Sequence, residues 1–457
     1  MLFRLVPPDN RHTPLLAVPK KQKLPVLPGE LSLRILWGPA TAGLLTFGLL
    51  LLAFPPHDAP ETAYVFLVPA LCWLSFLPSF RATFITFLFF GWLFYMTLLW
   101  WLRHVTLPGL AIGSLLLSTY LALWFLLARW ILPKALDGSF GIRLLSMLTL
   151  ASAWTIIEWA RCQFTLGFPW CPLSVSQWQR PVILQGAEWL GGWCVSFFLV
   201  FFNLCIASYL HHLLVRRLQS RRGGILGSFC PDFYAGLLML CVALAPFFLK
   251  THEDDSQKLL RAGFVQPYLM EKWKPGKAAI HKNTLRKLTL MTSVARPDLI
   301  FWPEASTPYA VTEDKAWVES ISRRTNIPLL VGAVAKSHSK NFSYNAVCLV
   351  TPNQGLESGF YAKRILVPFG EYVPDALKWF PGLDKLVGPT GSFEAGGDSR
   401  LLDVEMNSTK PQARIGSLIC YEDIFPSLAR RFATDGADFL FVCTNNAWFG
   451  EEGCAEQ

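Results

Sequence analysis

Apolar residues dominate the first half of the chain in long uninterrupted runs, and in the second half they fall into short runs separated by polar helical stretches. The long runs lie near 35–54, 62–80, 84–102, 107–132, 143–160, 189–214 and 232–249. Most approach the roughly 20 residues that an α-helix needs to cross a bilayer core, so seven spans are predicted. Pro108 and Gly109 mark the start of the fourth. From about residue 258 the period changes. Runs such as "LLRAGFVQP", "DLIFWPEAS", "IPLLVGAVA", "YNAVCLVTPN", "GFYAKRILVPFG", "RIGSLICYED" and "ADFLFVCTNNAWFG" read as strands. Helices are predicted between them near 276–296, 313–325 and 425–434, the second with Thr312 as N-cap and Glu313 and Asp314 in its first turn. The pattern predicts a polar N-terminal segment (1–33), a polytopic helical membrane domain (34–250) and an α/β layered domain (251–457) with active residues on loops at strand ends.

Composition supports the membrane half. The chain is 52% hydrophobic and only 16% charged, with 18 Trp and 35 Phe, too apolar for one soluble globule. Charge then supplies an orientation. Residues 1–249 hold 17 Lys and Arg against 8 Asp and Glu, and residues 250–457 hold 24 of each, so the +9 excess belongs to the apolar half. A nucleic-acid surface would make the soluble part basic, which it is not. With a cytoplasmic N-terminus, fourteen basic residues fall inside (Arg4, Arg11, Lys20, Lys21, Lys23, Arg34, Arg81, Arg129, Lys134, Arg143, Arg216, Arg217, Arg221, Arg222). Only Arg103, Arg161 and Arg180 fall outside. Seven spans then place the α/β domain outside the cytoplasm.

The eleven cysteines form no CxxC pair and no Cys/His group with metal-ligand spacing, so no metal is expected. Cys72, Cys194, Cys205 and Cys241 lie in apolar runs, and Cys348 and Cys443 in strands, where packing is the ordinary role. Glu158 and Arg161, one helical turn apart at a span end, read as an interfacial pair. Phe164, Phe168, Trp170 and Trp178 suit contact with lipid headgroups, or an ordinary aromatic belt.

Three residues stand at strand ends: Glu304 after "LIFWP", Lys363 after "GFYA" and Cys420 after "GSLI". Taken singly, a glutamate or lysine there is ordinarily a solvated loop residue and a cysteine ordinarily packing. Together they match a chemistry. A thiol attacks as thiolate, favoured near a helix start or a cation; a carboxylate can move its proton, and a lysine can face a tetrahedral oxyanion. No histidine is required.

The order Glu, Lys, Cys, about 60 residues apart at strand ends, resembles the nitrilase superfamily. The strings "FWPEAS", "YAKRILVPFGEYVP", "ICYEDIFP" and "TNNAWFG", behind seven spans and with "EWARCQFTLGFPW" at 158–170, resemble the apolipoprotein N-acyltransferase family of the bacterial inner membrane. The resemblance implies an α-β-β-α sandwich on the periplasmic side, with Glu304 as general base, Lys363 as stabiliser of the tetrahedral intermediate and Cys420 as nucleophile. Glu371 is implied as an additional active-site glutamate, Tyr421 and Glu422 as supporting residues, and Trp273 and Trp448 as substrate-binding positions. No cofactor is implied. The implied reaction moves a fatty acyl chain from a phospholipid, typically phosphatidylethanolamine, through a cysteine thioester to the α-amino group of a diacylglyceryl-cysteine apolipoprotein. In that family the chain continues past "TNNAWFG" with more of the same domain and an eighth span. Here eight residues follow Phe449, so a shortened, poorly stable and weakly active chain is expected. Two other readings share these features: a membrane-tethered amidase or nitrilase that gives its acyl group to water, and a non-catalytic remnant.

Overall fold

The computed structural model describes residues 38–163, 167–219, 230–249, 260–268, 276–336, 343–368, 370–372, 393–405, 412–449 and 454. The N-terminal segment 1–33, Phe164 and Trp273 lie outside these residues, and Trp448 falls in a short helical turn, Asn446–Phe449.

The membrane half is built from α1 (Pro39–Leu52), α2 (Val68–Ser75), α3 (Phe80–Leu98), α4 (Leu107–Leu136), α5 (Phe140–Gln163), α6 (Gly192–Gln219) and α7 (Pro231–Leu249). Five of these, α3 to α7, are long and apolar enough to cross a bilayer. The first two expected spans are shorter helices of 14 and 8 residues. Proline explains the interruption: Pro55, Pro56 and Pro60 fall between them and Pro69 sits in the first turn of α2, where a missing N–H is tolerated. The fourth run starts where expected, with the Thr106 hydroxyl accepting from Gly109 N at 3.2 Å. Its interior Pro133 lies in the last turn.

Polar side chains tie the bundle together where apolar packing alone gives little specificity. The Asn203 Oδ1 accepts from Leu67 N at 2.9 Å and its amide donates to the Ala63 carbonyl at 2.8 Å, fixing α6 on the segment leading into α2. Asp232 on α7 accepts from Arg143 of α5 at 2.7 Å and from Ser208 of α6 at 2.6 Å. Such bonds inside a lipid-exposed bundle are modest in energy but restrict rotation of the helices. Cys194 and Cys205 pack in the interior as expected, whereas Cys241 is on the exposed helix surface.

The second half folds as two facing sheets. One has the order β1 (Ala262–Phe264), β2 (Leu299–Trp302), β3 (Leu329–Lys336), β4 (Ser343–Thr351), β5 (Gly355–Ala362). The other runs β6 (Leu402–Val404), β7 (Ala413–Ile419), β8 (Phe439–Cys443). Side-chain alternation builds the layers. Leu299, Phe301, Leu330, Val347 and Leu349 point to one face and meet Ile415, Ile419 and Phe441 of the second sheet. Ile300, Trp302, Leu329, Val331 and Cys348 point to the other face, against Leu285 of α8 (Ala278–Ser293) and Val318 and Ile321 of α9 (Lys315–Thr325). Leu428 and Phe432 of α10 (Pro426–Thr434) are buried with the second sheet. The result is the expected helix–sheet–sheet–helix layering. On β8, Leu440 and Val442 remain 46% and 43% exposed.

One helix start differs from expectation. The second soluble helix begins at Lys315, with Asp314 at the N-cap, so Thr312 is not the cap. The Asp314 carboxylate is used elsewhere, accepting from Tyr309 N at 3.2 Å and pairing with Lys282. Strand β6, three residues paired with β7, has no counterpart among the predicted strands.

Candidate active site

Strand direction brings the three strand-end residues together. β2 and β3 are parallel, β3 and β4 antiparallel, and β4 and β5 antiparallel, so β5 runs in the same sense as β2. Glu304 and Lys363 therefore lie at the same, C-terminal, edge of one sheet. In the facing sheet β7 and β8 are parallel and deliver Cys420 and Thr444. A backbone bond from Glu304 N to the Thr444 carbonyl, 3.4 Å, joins the two edges.

Local sequence sets each side chain. Pro303 follows β2 and has no N–H to continue the ladder, so the chain turns there and exposes Glu304 to the cleft between sheets. Ala305 just beyond has φ of 43°. Cys420 itself has φ of 51°, a region that non-glycine residues seldom occupy and that recurs where a functional side chain is held by its surroundings. What holds it is Glu422, fully buried, whose carboxylate accepts from Ile419 N at 2.8 Å, Arg364 N at 2.7 Å, Ile365 N at 3.2 Å and the Tyr361 hydroxyl at 2.9 Å. One carboxylate thus binds the Cys420 elbow to the loop that begins at Lys363. Burial pushes the Glu422 carboxyl up, and these donors oppose it.

Lys363 is 1% exposed, the strongest departure from a solvated loop lysine. Its ammonium lies 2.8 Å from Glu371 Oε2 and 3.8 Å from Glu304 Oε1. Burial alone would lower its pKa, but Glu371, Cys420 and Glu304 together hold it above the ordinary lysine range, so it is a cation. Asn345 on β4 donates to Glu304 Oε1 at 2.7 Å and to Glu371 Oε1 at 3.0 Å, completing a ring of two carboxylates, an ammonium and an amide. Glu371 is steadied by Val367 N at 2.9 Å. Cys420 keeps some exposure, yet burial of its thiol and the charge of Glu304 raise it well above an ordinary thiol; Lys363 and a hydrogen bond with Thr444 act in the opposite direction. Nearby, burial raises Asp423 to about 6. No group of three or more metal-ligating side chains occurs among the described residues.

Tyr421 faces the membrane half. Its hydroxyl donates to the Gly167 carbonyl at 3.0 Å, and its ring stacks on Phe168 with centroids 6.4 Å apart. Trp170 packs on Trp101 at 4.9 Å, and Trp101 on Phe449 at 4.9 Å. Phe168 and Trp170 are thus the seam between the halves and not lipid-facing belt residues, while Trp178 is 50% exposed. Glu158 and Arg161 are not an interfacial pair either. Both are buried, Glu158 accepting from Leu173 N at 2.7 Å and Arg161 donating to the Tyr95 hydroxyl at 3.1 Å. Sequence reasoning passed over Asn345, Tyr361 and Thr444. A polar Asn immediately before the apolar run "AVCLV" is the one signal that pointed to any of them.

Known proteins resemble this chain in both of its halves. Residues 48–205 match the apolipoprotein N-acyltransferase N-terminal domain, and residues 261–456 match the carbon-nitrogen hydrolase domain. An apolipoprotein N-acyltransferase of Chlorobaculum tepidum is 30% identical over 464 residues, covering 92% of this chain and 81% of that protein. One from Geobacter metallireducens is 28% identical, covering 90% and 78% respectively. A carbon-nitrogen hydrolase structure from Helicobacter pylori aligns with 40% of this chain and 59% of its own, at 18% identity and a TM-score of 0.29. With its apolar helical half, its two-sheet hydrolase half and a 30% identical relative matched over 81% of that protein's length, the chain belongs to the apolipoprotein N-acyltransferase family.

Proposed function

We propose that this membrane protein N-acylates lipoproteins by moving a fatty acyl chain from phosphatidylethanolamine, with Glu304, Lys363 and Cys420 as its catalytic residues. The family assignment supports an acyltransferase acting on lipid and lipoprotein, in preference to a hydrolase or a remnant. The observation that carries the residue roles is the buried Lys363 ammonium, between two carboxylates and beside the Cys420 elbow.

In the first half-reaction Glu304 takes the proton of the Cys420 thiol as sulfur attacks the ester carbonyl carbon of the phospholipid. The oxyanion of the tetrahedral intermediate is offset by the Lys363 cation. Collapse breaks the C–O bond, the lysophospholipid alkoxide takes the proton back from Glu304, and the acyl group remains as a thioester on Cys420. In the second half-reaction the α-amine of the diacylglyceryl-cysteine attacks the thioester and gives a proton to Glu304. Collapse forms the amide and expels sulfur, which regains its proton. Glu371 balances the Lys363 charge throughout, Glu422 and Tyr421 hold the elbow and its seam, and Trp273 and Trp448 contact substrate. Thr444 and Asn345 orient the thiol and the two carboxylates. The chemistry needs no cofactor. The fourteen-to-three basic bias supports an inner-membrane location with residues 251–457 periplasmic, and residues 34–250 as the membrane domain.

The test supplies labelled phosphatidylethanolamine to the chain in bilayers and follows both the label on protein and the mass of a lipoprotein N-terminus. A hydroxylamine-sensitive adduct at Cys420, transferred to the lipoprotein amine, is expected. Cys420→Ala should form none, while substitution of Cys348 or Cys443 should leave it in place. An undiminished adduct in Cys420→Ala, or release only as free fatty acid, overturns the assignment.

A further inference from the structure

Within the helical bundle, α5 carries Trp154, Glu158 and Arg161 at spacings of four and three, which places them on one helix face. They are 5%, 7% and 4% exposed. One end of each charged group is accounted for: Glu158 Oε1 by Leu173 N, and an Arg161 terminal nitrogen by the Tyr95 hydroxyl. The other end is not. Glu158 Oε2, Arg161 Nε and Trp154 Nε1 have no hydrogen-bond partner among the described residues. All three residues line a single cavity of about 30 Å³, which Tyr95, Leu121 and Cys171 also border.

We propose that this cavity is a hydration site inside the bundle, holding one or two ordered water molecules bonded to Glu158, Arg161 and Trp154. A buried donor or acceptor left without a partner is destabilising, more so when charged, so three in one place need a shared partner. A water needs at least about 10–15 Å³ of such space, and the cavity exceeds that. The chemistry of the walls selects the occupant. Arginine Nε and indole Nε1 only donate, and a carboxylate only accepts. A ligand must therefore accept at least two bonds and donate at least one. Water does both, an ammonium cannot accept, and a halide cannot donate and would face the carboxylate. Purely apolar cavities of this kind stay dry; this one is polar on one side.

The site has a consequence for the seam. The same Glu158 that faces the cavity anchors Leu173 N, and the loop between α5 and Leu173 presents the Gly167 carbonyl to Tyr421, next to Cys420. Water on Oε2 fixes the carboxylate that fixes this loop. The inference does not depend on which acyl donor or acceptor the protein uses.

Radiolytic hydroxyl-radical footprinting of the whole chain in phospholipid nanodiscs tests it, because an ionised bound water oxidises its neighbours before they can exchange with bulk solvent. Trp154 and Tyr95 should be oxidised several-fold faster than Trp73, which is equally buried at 6% exposure but lies outside the cavity. Leu121→Phe, which fills the cavity, should bring both down to the Trp73 rate. Trp154→Phe removes one donor without changing the packing greatly, and should lower oxidation of Tyr95 while leaving Trp73 unchanged. Rates at Trp154 and Tyr95 no higher than at Trp73 in the unsubstituted chain would show a dry cavity and overturn the proposal. So would fast oxidation that neither substitution reduces in a folded protein.

Discussion

At Cys420, burial and the charge of Glu304 both favour the neutral thiol, while Lys363 and Thr444 favour the thiolate less strongly. A thiol whose pKa is raised in the fold keeps its proton below that pKa and yields thiolate only as pH climbs through it. Alkylation of Cys420 by iodoacetamide should therefore be slow at neutral pH and rise about tenfold per pH unit without levelling before pH 9. A plateau near pH 7 would mean a resting thiolate. The raised value suits a nucleophile that loses its proton only when a carbonyl is in reach. Lys363 gives a second test. Removing the cation leaves Glu304 and Glu371 buried and uncompensated, and breaking a buried pair costs about 3–5 kcal/mol. Lys363→Met should lower both thermal stability and acylation. Lys363→Met with Glu371→Gln should recover much of the stability and none of the acylation, as read by melting temperature and thioester formation. Recovery of neither would make the lysine's role in stability independent of Glu371.

The elements carry these residues through close backbone contacts. Gly332 in the middle of β3 lies under the Pro303–Glu304 turn: a Cβ there would stand 2.3 Å from the Pro303 carbonyl oxygen and 2.6 Å from the Cys443 sulfur. Ser306 N also donates to the Gly332 carbonyl at 2.6 Å, so the turn rests on that glycine. The backbone oxygen cannot give way as a flexible side chain would. Gly332→Ala should cost about 1–3 kcal/mol in denaturation, in line with overpacked sites elsewhere, and should lower acylation by displacing Glu304 although no catalytic side chain is altered. Wild-type acylation in a Gly332→Ala protein would show that the turn tolerates the shift. Gly416 plays the parallel part on β7, where a Cβ would meet the Phe432 ring at 2.6 Å.

For the whole molecule the decisive arrangement is a hydrolase-type sandwich docked on a helical bundle through Tyr421–Gly167, Phe168 and the Trp101–Phe449 contact. A site at this seam can receive an acyl chain still seated in the bilayer and a lipoprotein anchored in the same membrane. The basic bias then predicts which side it serves. Reporter fusions after residues 220 and 300 should report opposite sides of the membrane, the first cytoplasmic. Signals from the same side would refute the orientation.

The amino-acid sequence alone determined the membrane half, the change of period near residue 258, most strands and helices, and the three strand-end residues. It could do so because long apolar runs, strand periodicity and residues such as Pro303 act locally, within a few positions of the chain. The short strand β6 and the start of α9 escaped it for the same reason, since tertiary partners set both: β7 for one, and Tyr309 and Lys282 competing for Asp314 for the other. Only the tertiary structure decided that Lys363 is buried, that Asn345 bridges two carboxylates and that Glu422 ties Lys363's loop to the Cys420 elbow. It alone turned Glu158 and Arg161 from interfacial residues into buried ones, and placed Phe168 and Trp170 in the seam between the halves. A side chain's type fixes what it can donate, accept or shed into lipid. Burial and partner are fixed by residues far along the chain, 254 positions away in the Tyr421–Gly167 bond, and no local pattern carries that information.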